Sequence, residues 1–170
     1  SLRNNKGRTA LMLAERKGHT ECARVIREHE QASAAMEALP ERVAQSVDVG
    51  DMDAVAKWLD GGGFVDALWD EPDGEVHGTS MLMYAAANAQ LSLLDLLLER
   101  GASVDLQNSL GGTALMNTAA AGFAGIVRRL LQAGAQMGLR DYTGRTALHL
   151  AEARGHAECM SAFSEHQQAL

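Results

Sequence analysis

Two sets of side chains in this sequence have the types and spacing of a metal site. His19 and Cys22 stand three apart, as do His156 and Cys159, and a further histidine (His29 or His166) follows each cysteine after seven residues. Imidazole and thiolate are zinc ligands, but a closed zinc site wants four of them converging on one point. Each set offers at most three, and the two cysteines lie 137 residues apart (22 to 159). The stronger reading is a pair of reduced thiols at equivalent core positions, with no metal and no cofactor. Hydrolytic chemistry finds no better footing. Serine, histidine and aspartate all occur, but no serine sits in a Gly-x-Ser-x-Gly elbow. No Gly-x-x-x-x-Gly-Lys run is present to cradle phosphate, and Gly61, Gly62 and Gly63 follow a predicted helix as cap and turn. No catalytic residue is expected, so the chain reads as a non-enzyme.

The elements that would position any site are helices. Of 170 residues, 46% are apolar but only 4% aromatic, so the apolar share is mostly Ala, Leu, Val and Met, which suits closely packed helices. Two prolines leave long stretches free to be helical. A formal net charge of −7 without a clustered basic stretch argues against nucleic acid as the partner. No run approaches the roughly 18 apolar residues of a membrane span; the longest candidate, Leu91 to Leu98, is interrupted by Ser92 and Asp95. Direct membrane insertion is therefore not expected. No signal-peptide pattern opens the sequence, and the expected setting is intracellular, in the cytoplasm.

Self-similarity at a fixed period organises the chain. Thr146-Ala-Leu-His-Leu-Ala-Glu-Ala-Arg-Gly155-His156 is matched 33 residues earlier by Thr113-Ala-Leu-Met-Asn-Thr-Ala-Ala-Ala-Gly122, and 33 earlier again by Ser80-Met-Leu-Met-Tyr-Ala-Ala-Ala-Asn-Ala89. Two of these openings lead to a second apolar stretch closed by Gly-Ala: Leu93 to Ala102, and Ile126 to Ala135. Apolar residues at i, i+1, i+4 and i+5 mark one buried helical stripe. The closing glycine suits the left-handed residue that ends a helix. Asp141 and Gly144 then supply a turn before the next threonine. Each unit reads as helix, tight turn, helix and projecting hairpin loop.

These units resemble ankyrin repeats, whose pattern opens Thr-Pro-Leu-His-x-Ala-Ala, continues with Gly-His, and closes Leu-Leu-x-x-Gly-Ala before Asp-x-x-Gly-x-Thr. Thr146-Ala-Leu-His-Leu-Ala carries the opening with Ala147 in place of proline, and Asp141-Tyr-Thr-Gly144-Arg-Thr146 carries the hairpin motif. The opening threonine should cap its helix with its hydroxyl. Gly7-Arg-Thr9-Ala-Leu-Met-Leu-Ala-Glu-Arg-Lys-Gly18-His19 is a further unit, and a degenerate one starts at Glu41, with Val43, Val47, Gly50, Val55 and Leu59 on its pattern and Pro40 at its first turn. The implied fold is all-α: an ankyrin-repeat solenoid of helix-turn-helix units with projecting β-hairpin loops, opening at Thr9, Glu41, Ser80, Thr113 and Thr146.

Two irregularities interrupt that order. From Glu41 to Ser80 the spacing is 39, which places six extra residues in the loop 63–79. That loop carries Asp66, Asp70, Glu71, Asp73 and Glu75 around Trp69. The second is that Thr9 to Cys22 parallels Thr146 to Cys159, with Glu28-His29 against Glu165-His166, and both units lack the Gly-Ala close. Polar endings of this kind are expected of capping repeats. A cap occurring twice implies that residues 1–35 are the C-terminal capping repeat of a preceding module, and that 36–170 form a four-repeat module within a longer tandem array. The Met residues 81, 83 and 116 fall on the first-helix pattern and are read as core filling.

The resemblance implies that a partner meets the hairpin tips and the inner helix face. By position this selects Val76, His77, Thr79 and Asn88, then Ser109, Leu110 and Gly112, then Tyr142, Thr143, Arg145 and Arg154. Trp69 with Asp70 and Glu71 in the enlarged loop joins them, either as a partner contact or as packing against the first helices. Two functions of different class follow: an interaction module (scaffold or adaptor) that holds a protein or peptide, or a structural subunit packed permanently in a larger assembly.

Overall fold

The structure is a computed structural model that describes residues 17, 19–22, 24, 39–70 and 76–168. It divides into two compact units, 1–38 and 39–170. Most of the opening repeat expected over 1–35 lies outside the described residues. Within it Thr20, Glu21, Cys22 and Arg24 are helical, and Cys22 is exposed.

In the second unit the 33-residue pattern becomes four helix pairs. They are α1 (Glu41–Val49) with α2 (Met52–Asp60), α3 (Met81–Ala87) with α4 (Leu91–Glu99), α5 (Ala114–Ala121) with α6 (Ala124–Gln132), and α7 (Ala147–Arg154) with α8 (Ala157–Gln168). The expected caps are in place. The hydroxyls of Ser80, Thr113 and Thr146 accept from the backbone N–H of Met83, Met116 and His149 at 3.2, 3.2 and 3.4 Å. His149 completes the last cap, its Nδ1 accepting from the Thr146 backbone N–H at 3.4 Å. Pro40 occupies the N-cap of α1 itself, one position earlier than a first-turn proline, and offers no side-chain bond. Left-handed residues turn each first helix into its second: Gly50, Gly122 and Gly155, with Ala89 at the same register in the second pair.

First helices pack on first helices (α1 on α3, α3 on α5, α5 on α7), and outer ones likewise, α2 on α4 and α6 on α8. The seam is filled from both layers. Val47, Met81, Met83, Leu93, Leu97, Leu115, Met116, Val127 and Leu130 are almost wholly removed from water, while Ala85, Ala86, Ala119 and Ala151 let the helix axes approach. The methionines of the pattern are thus core residues, and Cys159 is buried among them. Cys22, expected as its core equivalent, is exposed.

From the end of the outer helix to the next N-cap, Asp60 to Ser80 spans 20 positions, against 14 for Glu99 to Thr113 and for Gln132 to Thr146. The six-residue excess of the first loop forms a two-residue antiparallel ladder, β1 (Leu68–Trp69) with β2 (Thr79–Ser80), in the register Leu68↔Ser80 and Trp69↔Thr79. Among the described residues the other loops reach the same outline by turns, without a ladder. Gly63 is confined to glycine by the fold, because a Cβ there would lie 2.4 Å from the Trp58 ring.

Candidate protein-binding surface

Each finger-like loop is braced by one polar side chain at its neck. Asp141 Oδ1 accepts from the N–H of Thr143 and of Arg145, both at 2.9 Å, and Asp141 N donates to Arg145 O at 2.9 Å. The Thr143 hydroxyl, 2.6 Å away, adds a further bond and is the main reason the Asp141 carboxyl is held down to about 2. One period earlier Asn108 does the same work, accepting from Leu110 N at 3.0 Å and Gly112 N at 2.8 Å. Asn108 was not among the expected residues; its register, 33 before Asp141, was the available signal.

The tips are then stitched to one another. Ser109 N donates to His77 O and His77 N donates to the Ser109 hydroxyl, both at 2.9 Å, while Tyr142 N donates to Leu110 O at 3.0 Å. Below the tips, Gln107 Nε2 reaches Arg140 O at 3.0 Å. At the base, Asp66 receives Ser103 N at 2.8 Å and its hydroxyl at 2.5 Å, and Asp105 receives Gln136 N and Nε2, both at 2.9 Å. Asp66 therefore joins two repeats. On the outer helices, ion pairs Asp60–Arg100, Asp95–Arg129 and Arg128–Glu165 span neighbouring repeats.

Against this frame the selected residues divide. Leu110 and Tyr142 stand out on successive tips, 54% and 78% exposed. Arg154 is exposed at the end of α7 with no side-chain partner among the described residues, and Asn88 caps α3 through Tyr84 O at 3.0 Å. The Arg145 guanidinium is held by Asp141 at 3.0 Å, and the Ser109 hydroxyl is spent on His77. Asp70 braces its own finger, accepting from Gly78 N at 3.0 Å with Oδ2 3.4 Å from His77 Nδ1. Thr79, expected at the tip, is 3% exposed, because the ladder turns it inward opposite Trp69. Glu71 lies outside the described residues. Trp69 is half-buried, its ring 4.9 Å from that of Tyr84, whose hydroxyl donates to Asp48.

Of the two metal-like sets, the first has His19 and Cys22 exposed and His29 outside the described residues, and the second is built into the repeat packing. His156 Nε2 lies 3.0 Å from Ala120 O in the preceding repeat, and burial pushes the Cys159 thiol up from its ordinary range. Among the described residues no three His, Cys, Asp or Glu side chains gather as a metal would need, and no helix is long and apolar enough to cross a membrane.

The family model described as ankyrin repeats in three copies matches residues 62–169, and that of the single ankyrin repeat matches residues 6–36. The chain belongs to the ankyrin repeat family. No curated protein matches it individually. Ankyrin repeats are in general protein–protein interaction modules, typically without catalytic activity. The segment between the two ankyrin matches is the degenerate unit, whose helices α1 and α2 nonetheless form the same pair as the others.

Proposed function

We propose that this chain is a non-catalytic scaffold or adaptor, which holds a protein or peptide segment against the finger tips and the exposed side of the first helices. The observation that carries the reading is the pair Leu110 and Tyr142. Two large apolar side chains are held out in water on tips whose backbones are bonded together, so binding has to order these side chains but not the loops that carry them. Tyrosine and arginine dominate binding energy at interfaces, and Tyr142, Arg145 and Arg154 lie on one repeat. Trp69, Asp70, His77, Asn88 and Ser109 extend the surface toward the enlarged finger, with Glu71 assigned to it by sequence. On the same reading residues 1–35 are the cap of a separate ankyrin module, a division supported by the parallel between Thr9–Cys22 and Thr146–Cys159.

Selection of random peptides displayed on phage against the immobilised chain tests this. The selected peptides bind the parent, and the Leu110→Ala, Tyr142→Ala double variant loses them at least tenfold while melting at the parent temperature. Undiminished binding by that variant, or a selection that enriches nothing, removes the proposal. A permanently packed structural subunit would instead run as an aggregate on size exclusion, and a monodisperse elution argues against it.

A further inference from the structure

Beneath the enlarged finger lies a cavity of about 320 Å³ lined by Leu39, Glu41, Ala44, Gln45, Asp48 and Trp69. Glu41, Ala44, Gln45 and Asp48 are spaced i, i+3, i+4, i+7 and form one stripe of α1. Leu39, Ala44 and the indole give the cavity apolar walls, and a carboxylate stands toward each end of the stripe. Glu41 is exposed and makes no side-chain hydrogen bond or ion pair among the described residues. Asp48 takes the Tyr84 hydroxyl on Oδ1, and its Oδ2 has no partner among them. Trp69 is fixed as a wall by its contact with Tyr84 and by its place in the ladder.

An indole and aliphatic walls beside two uncompensated carboxylates are complementary to a long aliphatic stem that ends in a cation. An apolar side chain would strand the carboxylates against it, and an acidic one would be repelled by both. We infer that this cavity receives a lysine or arginine side chain of the segment bound by the array, an inference that rests on the binding reading above. The equivalent register of the later first helices, two residues before the left-handed turn, carries Ala87, Ala120 and Ala153 in place of Asp48. Among the described first helices only α1 offers a cation a negative seat at that register, so a basic residue in the ligand fixes its position along the groove.

The peptides selected above serve as the probe, titrated by calorimetry. Lysine or arginine is enriched among them at one position, and Glu41→Gln and Asp48→Asn each weaken binding about threefold to tenfold. The double variant weakens it further, and added salt weakens the parent complex. Asp48→Asn keeps an acceptor for Tyr84, and Glu41→Gln alters one exposed side chain, so both fold. Trp69→Phe keeps a ring against Tyr84 while shrinking the wall, and weakens binding with little change in melting temperature. Glu152→Gln, on exposed α7 surface, leaves binding unchanged. Peptides that bind without a basic residue, or that hold both charge variants as tightly as the parent, overturn the pocket assignment and leave the scaffold reading standing. A selection that enriches no peptide removes both.

Discussion

The His156 ring rests on the bare backbone of Gly122: a Cβ there would lie 2.7 Å from Nδ1, and Gly122 has φ +85°. The same ring sets Nε2 3.0 Å from Ala120 O, at the end of the preceding repeat's first helix. Gly122→Ala therefore meets two costs, a left-handed backbone and a collision with a ring that is bonded in place. We expect a loss of about 2–3 kcal/mol in urea unfolding. Adding His156→Ala recovers the steric part and leaves the backbone part, so the double-mutant cycle shows coupling. Strictly additive losses would mean that the ring moves aside freely.

At the equivalent turn of the preceding repeat the chain holds Ala89 at φ 58°, a conformation that side chains carrying a Cβ enter at a cost of about 1–2 kcal/mol. Ala89→Gly should raise stability by about 0.5 kcal/mol, the relieved strain exceeding the entropy that glycine adds to the unfolded chain. The check is the denaturant midpoint, which should move up with an unchanged slope.

Asp141 should remain ionised far into acid. Its carboxyl is held down to about 2, first by the Thr143 hydroxyl; burial, next in size, acts the other way, and the N–H groups of Arg145 and Thr143 with the Arg145 guanidinium add to the lowering. A depressed carboxyl contributes stability that is present above its ordinary value of 3.8 and is lost as pH falls from there through about 2. NMR titration of the carboxyl carbons should find it among the last to protonate. Thr143→Val should bring its midpoint up toward the ordinary range, and an unmoved midpoint would deny the hydroxyl its role.

The two thiols should differ in kinetics. Cys22 is exposed and should react with a disulfide reagent within the mixing of a folded sample. Cys159 is buried, and burial first, then Glu158, raises its pKa while Arg128 opposes. It should react only as fast as α8 opens, with the second equivalent released in denaturant. Equal rates in the folded state would contradict the packing of Phe163 and Ala162 around it.

The repeats were readable because their signals are local. A threonine hydroxyl three residues from the N–H it caps, a stripe at helical spacing and a glycine at the turn all fall within a dozen positions. The candidate surface was less so, because its determinants are paired across repeats. Trp69 is oriented by Tyr84, whose own anchor, Asp48, lies 36 positions away. Asp66 looked like one more acid of a charged finger, yet it is committed to Ser103, 37 positions on. Thr79 fell on the tip by alignment, but the inserted ladder turns it inward. Spacing counts positions along one chain segment; the register between adjacent fingers is set by the bonds they exchange.

Two rows of bonds join neighbouring repeats, one along the tips through His77–Ser109 and Leu110–Tyr142, the other along the outer helices through Asp60–Arg100 and Asp95–Arg129. Such an arrangement laces the repeats along two lines. Each row is made of individually weak bonds, so parting one repeat from the next means breaking bonds of both rows as well as uncovering the shared core.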